Sequence, residues 1–402
     1  MPRGDGLDGM SSSASHPHPV LSRWAAVGVL TLSTFLVVTA EMLPVGMLTP
    51  MADGLGISAG ATGLSLTVTG LVSAVTAPVV PRLLGDLDRR RVLAAAVAVL
   101  AVGNGLTAIA VDFGLLMVAR IVLGVGMGAV WGMASAVAIR LVAARDSALA
   151  VSFTVGGVAA ASVLGVPLGT FVGNAFGWRT AFWSLAVCAS LLVPALLLAL
   201  PELRRPAVVE ETGAGQRRSL LRPTVVTGLA VVVLLVTAHF AAYTYVRPVL
   251  EELPRMPAGA IASLLLVYGV FGLIGNFVAG AATGRKPRAT VLLLAAGIAV
   301  ALGLLALFGA SALVAGVAIA LWGMAYGGLS VGGQLWMTAL APDRVEHVTG
   351  LYVGVFTGSI ALGAFVGGLV VEGAGVVLLL WSAAALAVVS LLVGSVGRPI
   401  AA

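Results

Sequence analysis

Twelve apolar runs, each long enough to cross a bilayer, follow one another along this chain with only short polar breaks between most of them. They fall at 24–48, 61–82, 92–111, 114–139, 148–173, 179–200, 224–247, 259–282, 289–309, 312–339, 349–371 and 375–396. A membrane helix needs about 20 such residues, so twelve would use roughly 240 and leave about 160 for ends and loops. Charged residues make up 9% of the chain and hydrophobic ones 60%, where a soluble domain carries about 25% charged. So few charges cannot cover a soluble surface. A soluble enzyme, a secreted disulfide scaffold and a disordered chain are excluded, and mean hydropathy of +1.11 agrees. The runs are continuous rather than alternating, which argues against a transmembrane β-barrel. The expectation is an all-α membrane protein with twelve transmembrane helices arranged as two six-helix repeats.

A net charge of +6 would suggest nucleic acid in a soluble protein. Here the placement of the charges matters more. With the N-terminus inside, eighteen of the 22 basic residues fall on cytoplasmic segments and helix ends. Arg179, Arg247 and Arg255 fall outside, and Arg120 lies within helix 4. One miscounted helix would flip every later loop, so this asymmetry supports the count and puts both termini in the cytoplasm. The first run is too long for a signal-peptide core and is kept as a spanning helix. The expected layout is a disordered tail at 1–23, a first half at 24–200, a linker at 201–223, a second half at 224–396 and a tail at 397–402.

The halves echo each other at an offset of 198 to 199 residues. Val38 to Glu41 align with Val236 to His239, and Pro50 with Pro248. Gly124, Gly126 and Gly128 align with Gly323, Ala325 and Gly327. Gly156, Gly165 and Gly169 align with Gly354, Gly363 and Gly367. Six plus six helices in parallel repeat is a layout in which substrate sits between halves that rock.

Several stretches are similar to the twelve-helix drug:proton antiporters of the major facilitator superfamily, a group that includes sugar-efflux and chloramphenicol-resistance permeases. TAEMLPVGMLTPMADGLGIS, from Thr39 to Ser58, resembles that family's acid-bearing first helix. Arg120, Gly124, Gly126 and Gly128 match its R-x-x-x-G-x-G-x-G pattern. Gly157 to Leu164, followed by Gly165, Pro167 and Gly169, resembles its antiporter motif. Gly177-Trp178-Arg179, the segment from His239 to Tyr245, and Gly275-Asn276 are further likenesses. Between helices 2 and 3 the family pattern is G-x-L-x-D-R-x-G-R-R. Here Gly85 stands where the acid belongs and Asp86 where the first Arg belongs, while Asp88, Arg89 and Arg90 follow. The resemblance implies gating roles for Asp86, Asp88, Arg89, Arg90, Gly165, Pro167 and Gly169. It also implies that Arg120 takes part in proton transfer or holds the acid.

Glu41 is the only acidic residue well inside a span. A charge at membrane depth costs about 2.5–3.5 kcal/mol or more, so such a group faces the bundle interior and reads as functional. Pro44 gives no N–H to the carbonyl of Ala40, which loosens the helix one turn from the acid. His239 stands at the repeat position of Glu41, and imidazole titrates near neutrality, so it is the second candidate for a proton. His239, Tyr243 and Arg247 are spaced to share one helical face. Helix 5 carries small residues at Gly157, Ala161, Gly165, Gly169 and Gly173, which let another helix approach closely. Tyr243, Gln334, Trp131, Tyr326 and Asn276 are the candidate cavity liners.

No G-x-x-x-x-G-K-[ST] loop and no metal-ligand spacing occurs, and Cys188 is the single cysteine, so neither cofactor nor metal is expected. Energy must then come from a gradient. The favoured expectation is a monomeric, proton-coupled exporter of small organic molecules (drug, sugar or nucleoside-like) in the cytoplasmic membrane. Its partners are protons, a small-molecule substrate and the lipid bilayer, with no nucleic acid. The alternative is an uptake symporter or facilitator, and a membrane-embedded enzyme or sensor is the third class.

Overall fold

The computed structural model describes residues 20–83, 87–203, 222–342 and 345–396. The expected tail at 1–23 lies outside them through residue 19, the linker at 201–223 does so from 204 to 221, and 397–402 does so entirely. Asp86 also lies outside the described residues.

The described residues form helices and connecting turns, without strands. The first half contains α1 (Val20–Leu55), α2 (Ala59–Leu83), α3 (Arg89–Ala108) and α4 (Phe113–Leu141). It continues with α5, whose stretches Ser147–Ala160 and Val166–Phe176 are joined by a π turn at Ala161–Gly165, and with α6 (Trp178–Ala199). The second half begins with α7, which runs as Pro223–Tyr243 and then Val246–Glu252. Next come α8 (Ala258–Thr283), α9 (Pro287–Phe308) and α10 (Ala312–Leu340). The final helical stretch, Val345–Val396, is broken at Gly375, where φ is 75° and ψ 178°. Its apolar part alone, Val348–Val396, has 49 residues and would be about 74 Å long if straight. That exceeds twice the roughly 30 Å of hydrocarbon. It is therefore two passes, α11 (345–374) and α12 (376–396), and the described helices make twelve.

The breaks have identifiable causes. Pro248 gives no N–H to the carbonyl of Thr244, and α7 interrupts at Thr244 and Tyr245. Pro167 likewise gives none to Val163, and the helix widens there, with the Val166 N–H reaching the carbonyl of Ala161. Helix 1 was expected to end at residue 48, but it continues to Leu55.

Packing repeats with the sequence. In the first half α2 and α3 lie on α4, α3 on α6, and α1 on α5. In the second half α8 and α9 lie on α10, and α7 lies on the α11–α12 stretch. Gly124 and Gly128 press on the α2 backbone at Thr69 and Ser73; Gly323 and Gly327 press on the α8 backbone at Tyr268 and Gly272. Gly165 and Gly169 meet Thr39 and Leu43 of α1, while Gly363 and Gly367 meet Thr237 and Ala241 of α7. Asp112 caps the N-terminus of α4, and Ser311, 199 residues on, caps that of α10.

The halves are tied together at one end, where α1 finishes and α2 begins. Asn174 of α5 donates to the carbonyl of Ala258 at 3.0 Å, and Thr67 of α2 donates to that of Ala361 at 3.3 Å. Glu372 accepts from Ser58 and from the backbone N–H of Ala61 at the start of α2. Gly269 of α8 lies against the backbone of Ser162 and Val163 in the π turn.

Candidate functional site

Helix α1 carries two internal prolines, Pro44 and Pro50. Each deprives one carbonyl of its helical partner, namely Ala40 and Gly46. A buried carbonyl left unpaired is costly, and both are answered by arginine. Arg120 of α4 donates from Nη1 to the Ala40 oxygen at 3.2 Å. Arg247 of α7 donates from Nη1 to the Gly46 oxygen at 2.5 Å.

Arg120 is fully buried. Its guanidinium also lies over the Phe182 ring, 5.0 Å from the centroid, and its Nε and Nη2 have no hydrogen-bond partner among the described residues. It therefore holds the backbone beside Glu41 rather than the carboxylate itself. Glu41 is 7% exposed and makes no hydrogen bond or ion pair with another described residue. It is a carboxylate with nothing fixed upon it, on a segment fixed by a neighbour.

Across from α1, three helices of the second half build an aromatic cluster. His239 of α7 stacks on Tyr326 of α10 with ring centroids 3.4 Å apart and planes 4° apart. Tyr243, one turn along α7, stacks on Tyr268 of α8 at 4.8 Å and on His239 at 5.1 Å. Trp322 of α10 donates from its indole N–H to His239 Nδ1 at 3.0 Å. Indole nitrogen can only donate, so Nδ1 accepts and the imidazole proton sits on Nε2, facing the Tyr268 hydroxyl at 3.4 Å. A second proton on His239 would have to displace Trp322. Val38, Met42 and Val45 of α1 pack in the same buried apolar cluster as Tyr243, Tyr268 and Trp322, which brings the cluster to α1. Tyr268 carries no motif, and only the fold brings it to this cluster.

The remaining expected residues separate. Arg247 does not continue the face of His239 and Tyr243, because the interruption at Thr244 and Tyr245 turns it toward α1. Trp131 is partly buried against the apolar cores of both halves. Asn276 ties α8 to α10 through the carbonyl of Gly327 at 3.2 Å, and Gln334 is exposed. Gly165 and Gly169, with Pro167 between them, belong to the seam between α5 and α1 inside the first half.

Asp88 caps α3. Its Oδ1 accepts from the N–H groups of Arg90 at 3.1 Å and of Leu203 at 2.9 Å. The backbone N–H of Arg89 in turn donates to the carbonyl of Leu203 at 3.0 Å. Arg90 adds ion pairs to Asp88 at 3.3 Å and Glu202 at 3.5 Å. Partial burial pushes the Asp88 carboxyl up, but the two N–H groups and the Arg90 charge outweigh it and hold the group below its ordinary value. These bonds pin α3 to the end of α6, within one half.

Two six-helix halves, joined at one end around an acid-bearing helix, define a multi-pass membrane transporter of two-fold repeat. The chain belongs to the major facilitator superfamily, whose family model matches residues 30–364. It is 31% identical to the transcription regulatory protein OpdE of Pseudomonas aeruginosa over 88% of each chain. It is also 31% identical to the purine ribonucleoside efflux pump NepI of Salmonella paratyphi B, again over 88% of each. Among solved structures, a mutant form of the nucleoside transporter NupG superposes with a TM-score of 0.76 at 12% identity, covering 94% of this chain and all of that one. The protein is a transporter and not an enzyme.

Proposed function

We propose that the protein exports small nucleoside-like molecules across the cytoplasmic membrane in exchange for protons, by alternating access between its halves. The observation that carries this reading is Glu41: a buried carboxylate on α1 with no hydrogen bond or ion pair to another described residue, in a helix that faces the second half. A planar base stacks on aromatic rings at about 1–3 kcal/mol per base, and Tyr326 is the partly exposed ring of this cluster, backed by the buried rings of Tyr243 and Tyr268. Kinship with pumps named for purine ribonucleosides fits that chemistry. Glu41 would take a proton from outside and release it inside, with substrate and proton occupying the cavity in turn. Arg120 keeps the acid's backbone in place. His239, buried and committed to Trp322, is assigned to holding the aromatic cluster together.

The test uses everted membrane vesicles, whose interior corresponds to the cell exterior. With an acid interior imposed, radiolabelled adenosine, guanosine and inosine are offered. Accumulation against a gradient, abolished by collapsing ΔpH, supports export by antiport. Uptake driven by the opposite gradient would make the protein a symporter. Movement of none of the three would remove the nucleoside assignment.

A further inference from the structure

Both proline-orphaned carbonyls of α1 are filled by arginine, but the two arginines belong to different halves. Arg120 shares its half with α1, so its bond to Ala40 survives any rocking of the halves as rigid bodies. Arg247 does not. It reaches from α7 across the boundary to Gly46. It is 4% exposed, and the same Nη1 also faces Asn174 Oδ1 of α5 at 3.1 Å. Its Nε donates to Glu251 Oε1 at 2.8 Å. The other oxygen of Glu251 accepts from Thr49 of α1 at 2.5 Å. One guanidinium and one carboxylate of the second half thus engage three groups of the first.

We propose that Arg247 is a positioning residue of the transport cycle, and that the Gly46 carbonyl left free by Pro50 is its keyhole. With this end closed, the guanidinium fills the carbonyl's empty valence and Glu251 completes the tie through Thr49. When the end opens, Gly46 and Arg247 part and each turns to water. Pro50 does more than bend α1: it creates the acceptor that only the closed state satisfies. The repeat shows what the device requires. Pro248 occupies the equivalent place in α7 and orphans Thr244, and there the helix is interrupted. This inference rests on alternating access but on no particular substrate or proton path.

The test places spin labels at cysteines replacing Ala175 on α5 and Gly259 on α8, both exposed and flanking the closed end, after Cys188 is replaced. Inter-label distances in proteoliposomes then report the open and closed populations. Arg247→Gln keeps a polar side chain but cannot span Gly46, Asn174 and Glu251 together. Pro50→Ala leaves Arg247 intact and restores a helical N–H that competes for Gly46. Losing a charged hydrogen bond should raise the open-to-closed ratio about tenfold or more in each. Arg247→Lys, a single-point donor, should fall between Arg247→Gln and the parent. Combining Arg247→Gln with Pro50→Ala should add little to Arg247→Gln alone, because the Gly46 bond is already gone there. If Arg247→Gln does not fold, Pro50→Ala still reads that bond. Unchanged populations in the folded variants would overturn the latch while leaving alternation intact. A parent with one population under every gradient would count against alternation itself.

Discussion

Glu41 and Arg120 act on neighbouring atoms of one helix turn without touching each other through their charges. The guanidinium goes to the Ala40 carbonyl, because Pro44 leaves that acceptor empty, and the carboxylate stays unclaimed. Sequence alone identified the acid and the arginine as the ionisable side chains at membrane depth. It could not tell that one would hold the backbone beside the other, because that depends on how α4 lies on α1. His239 shows the same limit. Its repeat position suggests a proton site, yet Trp322 occupies Nδ1. Trp322→Phe should leave that nitrogen unsatisfied and cost about 1–3 kcal/mol, read as a lower unfolding temperature in detergent. In the parent, nitrogen NMR of the labelled imidazole should report the Nε2–H tautomer. His239→Gln should therefore slow transport less than Glu41→Gln does. Loss of ΔpH-driven transport with exchange down a gradient retained, as expected for Glu41→Gln, would restore His239 as a proton carrier.

The starts expected at 114 and 312 fall within a residue of the observed ones, where Asp112 and Ser311 prove to be the caps. Helix boundaries were hidden where proline acts. The first span is expected to end at residue 48, but α1 runs through Pro50 to Leu55, and a side chain from another helix meets the carbonyl that Pro50 frees. Pro248 does interrupt its helix. The small-residue face of α5 was legible as a packing stripe, and its partner proves to be α1 of the same half. Gly169→Leu would drive a side chain into Leu43, which a Cβ alone approaches to 2.7 Å, and overpacking of this kind costs about 1–3 kcal/mol. The expected result is a lower unfolding temperature with proton coupling retained in the protein that folds. At the junction of α3 and α6, Asp88 has its carboxyl held low, so the stability it contributes is complete above an ordinary carboxylate value of about 3.9. That contribution is lost as pH falls through the lower folded value. Asp88→Ala should cost about 1 kcal/mol as a lost cap at neutral pH. Its difference from the parent should shrink in acid, as unfolding curves at stepped pH would show.

For the whole molecule, the apolar runs and the repeat offset carried the fold, because bilayer thickness and glycine packing are both written locally. The aromatic cluster was not legible as a unit. His239, Tyr243, Tyr268, Trp322 and Tyr326 come from three helices; His239, Tyr243 and Tyr326 stand out singly, but nothing in the sequence joins them to Tyr268 and Trp322. Orientation is open to direct test. The charge asymmetry predicts that Pro257→Cys reacts with an impermeant thiol reagent in intact cells, while Gly284→Cys stays silent until the membrane is opened. The reverse pattern would invert the protein.

In the proposed exchange, substrate and proton compete through Glu41. Purified transporter in weakly buffered detergent, with a pH-sensitive dye, should release protons when a transported nucleoside is added. Glu41→Gln should bind the same nucleoside and release none. Equal proton release from the parent and Glu41→Gln would place the exchangeable proton on another group and leave Glu41 a structural acid.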